Sequence, residues 1–151
     1  MRHTHALTID DLDQVRTLAD ASLREGFRFV QRFVDDMPTT ALDTREQWFF
    51  GVFDDRVLRA IGGVTPDPYA LDANVGRVRR VYVAVDVRRQ GYGHLLLDAL
   101  ETRARDVYPI LRLNTDTPAA AAFYEQRGYT RIVDESATHM RRIRVSEVGS
   151  S

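Results

Sequence analysis

Between Val78 and Val85 the chain reads VRRVYVAV, the period-2 order of a strand. Arg79, Val81, Val83 and Val85 share one face, and Val78, Arg80, Tyr82 and Ala84 the other. The period changes across Arg88-Arg89-Gln90-Gly91-Tyr92-Gly93. Beyond it Leu95, Leu96, Leu97, Leu100, Ala104 and Val107 fall mostly at helical spacing, predicting a helix to about Tyr108, where Pro109 closes it. Upstream, residues 3–7 suggest a short first strand. Thr8 and Asp11 form a capping box, and Leu12, Val15, Leu18, Ala19 and Leu23 make the stripe of a helix over about 9–24. Gly26 interrupts. A second stripe runs from Phe27 through Val30, Phe33 and Val34 to Met37 and stops at Pro38; residues 38–46 read as a loop. Trp48–Phe53 and Val57–Val64 read as strands joined by Asp54-Asp55, with Gly62-Gly63 marking a bulge or a close backbone approach. The stretch 65–76 is a Pro/Asp/Asn/Gly loop. Ile110–Asn114 is another strand. Thr117 and Pro118 open a helix that Gly128 ends, and Tyr129–Val133 with Thr138–Val145 form a last antiparallel pair.

The order β-α-α-β-β-β-α-β-α-β-β defines a mixed α/β protein. At 151 residues one domain spans 1–151, with a short N-terminal tail (1–3) and a polar C-terminal tail (146–151) expected to be disordered. His3 and His5 share a face of the first strand, a geometry that can hold a metal, but a frayed, solvated terminus is the expectation and no metal site is assigned. The net charge of −1 argues against a general polyanion binder. No apolar run is long enough to span a membrane and no secretory signal is visible, so a cytoplasmic location is expected. The absence of Cys excludes disulfides, thiolate metal sites and a Cys nucleophile. All 21 basic residues are Arg, so no lysine base or Schiff base is available.

The strand-to-helix turn carries the chemistry. The first amides of a helix lack intrahelical partners and sit in positive potential, and Gly91 and Gly93 allow close backbone approach, with Arg88 and Arg89 adding charge. Such a turn can cradle a diphosphate. A dinucleotide site would need a third glycine where Leu96 stands. The alternative is an acyl-CoA site. Arg88-x-x-Gly91-x-Gly93 after VYVAV resembles the Gln/Arg-x-x-Gly-x-Gly/Ala signature of the GNAT superfamily of acyl-CoA-dependent N-acyltransferases. TPAAAAFYEQRGYTRI, residues 117–132, resembles that superfamily's later block, N-x-x-A-x-x-F-Y-E-x-x-G-F/Y.

The resemblance implies a mostly antiparallel sheet flanked by helices, with a central strand pair splayed into a V that takes acetyl-CoA as cosubstrate. Pantetheine would pair with the backbone of Val81, Tyr82 and Val83, and the pyrophosphate would lie on Arg88, Arg89, Gln90, Gly91, Tyr92, Gly93 and His94. Thr117, Phe123 and Tyr124 complete the cofactor site. Thr117 stands where the family commonly has Asn, and Asn114 comes three residues early. The implied activity is N-acetylation of a primary amine of a small molecule or peptide, by direct attack in a ternary complex. A catalytically silent acyl-CoA-binding or regulatory module is the alternative; nucleic-acid and membrane partners are not expected, and assembly into a homodimer stays open. The amide of Val83 would donate to the oxyanion. Tyr124 would give the departing thiolate its proton, with its ring rather than that of Phe123 facing the cofactor. The general base is open among Glu25, Asp35, Asp36, His139 and a water chain, since Arg112 stands where some relatives carry a Glu. Phe27, Phe29, Phe33, Trp48, Tyr69 and Tyr82 are candidates to line the acceptor pocket, and Arg80 and Tyr82 to contact an acceptor carboxylate.

Overall fold

The computed structural model describes residues 1–144; the expected polar tail and Val145 lie outside them. Seven strands form one sheet: β1 (Arg2–Ala6), β2 (Trp48–Asp54), β3 (Val57–Pro66), β4 (Val75–Val83), β5 (Ile110–Leu113), β6 (Thr130–Arg131) and β7 (His139–Arg142). Their spatial order is β1-β2-β3-β4-β5-β7-β6, and every neighbouring pair is antiparallel except β4–β5. Four helices flank the sheet: α1 (Leu12–Arg24), α2 (Phe29–Asp36), α3 (Tyr92–Ala104) and α4 (Pro118–Gln126). On one side Leu96, Leu97 and Leu100 of α3 and Tyr124 of α4 pack with Trp48, Val64, Val78 and Leu111. On the other, Val15, Leu18 and Ala19 of α1 and Val30, Phe33 and Val34 of α2 cover Phe49, Phe53, Ile61 and Tyr82. No helix among the described residues is long and apolar enough to cross a membrane.

The local signals act as expected at most element ends. Thr8 and Asp11 make the reciprocal capping box, around a 3-10 turn that leads into α1. Thr117 accepts from the amide of Ala120, Pro118 starts α4, and Gly128 leaves it at φ +93°. The β2–β3 turn falls one residue later than predicted: Asp54 pairs with Val57, and Asp55 and Arg56 both take positive φ, the geometry of a two-residue hairpin turn.

Three expectations are corrected. The N-terminus is tied down, not frayed. Arg2 is already in β1, the terminal ammonium meets the carboxylates of Asp54 and Asp55 at 3.2 and 2.8 Å, and His5 stacks on Phe53. Helix α3 ends at Ala104 rather than near Tyr108; Tyr108 leaves the helix to bury its ring beside Trp48 and donate its hydroxyl to the carbonyl of Glu46. Lastly, the two faces of β4 are not those of an unbroken strand. Pairing passes from Ile61↔Tyr82 to Gly63↔Arg79, so Arg80 and Val81 stand opposite Gly62 alone. Arg80 takes φ +60° in this bulge. Val78 therefore shares the α3 side with Val81 and Val83, while Arg79 and Arg80 both turn to the α2 side.

Candidate active site

Strands β4 and β5 pair over only Val75↔Ile110, Gly76↔Leu111 and Arg77↔Arg112. Beyond Arg77, β4 keeps β3 as a partner on one edge, whereas β5 continues against β7 up to Leu113↔His139. A V opens between them. The amide of Ala84 donates to Arg59, so by alternation Tyr82 also exchanges its backbone bonds with β3, opposite Ile61, while Val81 and Val83 face the open edge. The expectation that Tyr82 itself pairs with a ligand there is corrected on this ground. At the apex the buried carboxylate of Asp67 lies 3.4 Å from both Arg77 and Arg112. Arg112 also meets Asp134 and Ser136 through its terminal nitrogen, so its charge is met by carboxylates although its Nε makes no hydrogen bond.

After a 3-10 turn, Val85–Val87, the chain enters α3 through Arg89 at φ +66° and Gly91 at φ +88°. No side chain caps α3, and its hydrogen-bond ladder begins with the amide of Leu95 on the carbonyl of Gly91. The amides of Tyr92, Gly93 and His94 thus have no intrahelical partner and point out of the helix start. The two glycines act differently. A Cβ on Gly91 would meet nothing nearer than the Arg2 guanidinium at 3.6 Å, so the way to the amides is open. A Cβ on Gly93 would stand 3.0 Å from the Phe123 ring, so this glycine lets α4 lie against the first turn of α3.

The side chains of the turn divide as well. Arg88 grips Glu25 through two bonds of 2.6 and 2.8 Å and donates to the carbonyl of Val83 at 3.0 Å, which neutralises the charge expected beside the amides. Tyr92 is buried under Arg2, with its hydroxyl on Asp54, so only its backbone is available at the turn. Arg89 and Gln90 are exposed, and the Gln90 carbonyl accepts from Arg2. His94 lies against Phe123, ring centroids 4.8 Å apart, and accepts from Arg127 at Nδ1, which places its own proton on Nε2.

Tyr124 is buried, edge-on to both Phe123 and Tyr129. Burial pushes its phenol well above the ordinary range, with the Glu101 carboxylate adding to the shift. Phe123 is the half-buried ring of the pair, against the start of α3. Thr117 uses its hydroxyl oxygen as the cap of α4. Behind these residues lies a buried knot that the sequence does not announce. Glu101 of α3 accepts from Arg127 at 2.6 Å, Tyr129 at 2.8 Å and Arg141 at 2.9 Å, joining α3, α4 and β7.

The candidate bases fare unequally. Glu25 accepts from the Tyr82 hydroxyl as well as from Arg88; the Arg88 bonds foremost hold its carboxyl below the usual carboxylate range, against burial, so it is a weak base. Burial pushes the Tyr82 phenol up to about 12, with the bond to Glu25 adding to it. A depressed folded pKa contributes stability above the unfolded value of roughly 4.3, lost as pH falls through the folded value. Glu25→Gln should therefore flatten the acid limb of a stability-against-pH curve below about pH 5 in chemical denaturation. An unchanged acid limb would show that this ion pair does not contribute. His139 is fully buried between Glu125, 2.8 Å from Nε2, and Thr138, 2.9 Å from Nδ1, on the α4 side. Asp35 is held by Gln31, and Asp36 stands 3.7 Å from Arg80.

On the α2 side of β4 a cleft of about 320 Å³ is lined by Phe33, Asp36, Thr65, Arg79 and Arg80 among others. Of the predicted pocket aromatics only Phe33 lines it. Trp48 is buried in the opposite core, and Tyr82 is buried on Glu25. Tyr69 lies largely exposed over Arg77, while Phe27 and Phe29 pack on the edge of the α1–α2 core. The Glu25–Arg88–Tyr82 and Glu101 clusters join residues far apart in sequence, and no short spacing encodes them.

With this geometry in view, the comparisons with known proteins converge. The sequence model of the GNAT acetyltransferase family matches residues 12–129, and the chain belongs to that family. Among solved structures it resembles a provisionally assigned acetyltransferase from Exiguobacterium sp. 255-15, at 24% identity and a TM-score of 0.83 over 94% of this chain and 93% of that one. It also resembles the PaiA N-acetyltransferase of Thermoplasma acidophilum, solved with coenzyme A, at 18% identity and a TM-score of 0.69 over 93% and 97%. A third is the ribosomal-protein-S18-alanine N-acetyltransferase of Escherichia coli, at 17% and 0.72 over 97% and 96%. At these identities the likeness shows the fold. No curated protein is a significant match in sequence.

Proposed function

We propose that this protein transfers an acetyl group from acetyl-CoA to a primary amine by direct attack within a ternary complex. The observation that carries the reading is the conjunction at one end of β4. An open strand edge at Val81 and Val83 leads directly into a turn whose first helical amides are free. Both fit the cosubstrate: the edge offers the Val81 amide and carbonyl and the Val83 amide to an extended amide-bearing chain, the Val83 carbonyl being held by Arg88, and the amides of Tyr92, Gly93 and His94 suit a diphosphate. The thioester supplies the activated acyl group. The chain's part is to hold it, with the Val83 amide available to the developing oxyanion and Tyr124 to the sulfur. The strong upward shift of the Tyr124 phenol changes what it can do. Full proton transfer to a thiolate becomes steeply uphill, so Tyr124 acts by donating a hydrogen bond rather than by surrendering its proton. Glu25, held by Arg88, is a weak base, which favours an amine that loses its proton to water before attack.

The test pairs two substitutions at Gly91. Its φ of +88° strains any L-residue, so Gly91→Ala measures that strain and Gly91→Glu adds repulsion toward phosphate. Calorimetry should show Gly91→Glu binding CoA at least about 10-fold more weakly than Gly91→Ala, the scale of one lost charge-assisted contact. Equal affinity for the two variants would put the diphosphate elsewhere. Tight acetyl-CoA binding with no free-thiol release across a wide amine panel would favour the silent module instead. Intact mass after incubation with acetyl-CoA alone should stay unchanged; a stoichiometric acetyl adduct that chases onto an amine would overturn direct attack.

A further inference from the structure

The bulge in β4 does something an ordinary strand cannot. Consecutive strand residues point to opposite faces, so Arg79 and Arg80 would normally be separated by the sheet. The extra residue and the φ of +60° at Arg80 bring both into the cleft on the α2 side. A non-glycine residue held in that region is strained, and such strain gathers at ligand sites. The arrangement is also electrostatically unfavourable as it stands. Burial and then the neighbouring Arg79, with Arg32 beyond, hold the Arg80 guanidinium below its ordinary range, and Asp36 only partly offsets them from 3.7 Å. Arg80 gives one further bond to the carbonyl of Phe29, while Arg79 has no acidic or carbonyl partner among the described residues.

The other donors around the cleft are already engaged. The hydroxyls of Thr39 and Thr40 bond the Asp36 carbonyl, that of Thr65 bonds the Pro66 carbonyl, and the Gln47 amide bonds the Ala41 carbonyl. What remains for a ligand is guanidinium, in a cleft at the small-molecule end of binding-site volumes. The same strand reaches the open edge one residue later, at Val81.

We propose that Arg79 and Arg80 form an anion subsite, and that the acceptor is a small amine carrying a carboxylate that this subsite holds while the amine reaches the end of β4. The acceptor part of this statement rests on the acetyl-transfer reading; the anion subsite does not. Arg79 is the specificity residue, since its guanidinium is free to form the paired bonds a carboxylate accepts.

The experiment uses amino acids whose amine and carboxylate are separated by one to five carbons, each beside its primary amide. Two readouts are taken: thiol release from acetyl-CoA, and calorimetric binding of the matching N-acetyl acids and N-acetyl amides to the CoA-saturated protein. The best acid should exceed its amide by about 10- to 100-fold in kcat/KM and in affinity, the scale of hydrogen bonds to a charged group. In Arg79→Gln that ratio should fall to near 1, and in Arg79→Lys part of it should return. Should the parent release no thiol with any amine while N-acetyl acids bind in an Arg79-dependent way, acetyl transfer fails and the anion subsite stands. Turnover that favours the amides, or a ratio that survives Arg79→Gln, overturns the subsite and leaves acetyl transfer in place. Neither turnover nor binding overturns both.

Discussion

Tyr124→Phe is expected to slow acetyl transfer by roughly 10- to 100-fold, the scale of one hydrogen bond to a developing charge, while CoA affinity and the folding midpoint change little. The ring stays where it packs, edge-on to Phe123 and Tyr129, and only the hydroxyl is removed. That hydroxyl has no partner among the described residues, so its loss leaves no protein group unsatisfied. The strongly raised phenol sets a second expectation: kcat should show no loss attributable to Tyr124 ionisation up to about pH 10, because burial disfavours the phenolate. Single-turnover kinetics with a confirmed acceptor read the chemical step directly. A rate within about twofold of the parent would return Tyr124 to packing alone.

Glu101→Ala should lower stability as much as truncating a large core side chain. One buried carboxylate accepts from Arg127, Tyr129 and Arg141, and Arg127 is otherwise held only by the exposed Asp98 and by His94. Removing one partner of a buried ion pair costs about 3–5 kcal/mol, because the charge of the buried Arg127 loses its main counter-charge. For a chain of this length that corresponds to a fall of roughly 6–20 °C in Tm by calorimetry. A fall under about 2 °C would mean that water replaces the carboxylate and that the knot contributes little. Glu101 also fixes α4 against α3, so destabilisation should be accompanied by loss of the Phe123–Gly93 contact, seen as faster amide exchange across the first turn of α3.

Most of the strand and helix order was legible because each element end carries its own local signal. Thr8 with Asp11, Thr117 with Pro118, and Gly128 act within a few residues of where they stand. The turn into α3 was legible for the same reason: a turn with Gly91 at its close needs only neighbouring residues. What was not legible depends on tertiary partners. Arg88 looked like a phosphate cation because Glu25, its partner 63 residues away, cannot be paired from spacing. The further use of the Tyr92 ring in the core, and of the missing Gly93 Cβ in seating Phe123, also depends on residues distant in sequence. The bulge escaped the period-2 reading because VRRVYVAV keeps a valine on each side of the slip, so both phases look acceptable until β3 fixes the register.

The apex of the V has a mechanical consequence. Strands β4 and β5 are joined by three residue pairs, with Asp67 pinning Arg77 to Arg112 across the joint. Each arm is stiffened on its outer side, β4 by β3 and β5 by β7. From Arg77 to Val83 the free arm is about 20 Å long at the usual rise of a strand, so a rotation of about 3° at the joint shifts its tip by about 1 Å. The pin thus sits at the closed end of the V, where a small rotation is magnified at the mouth. Loosening the Asp67 clasp would displace Val83 further than any residue of the arm nearer the joint.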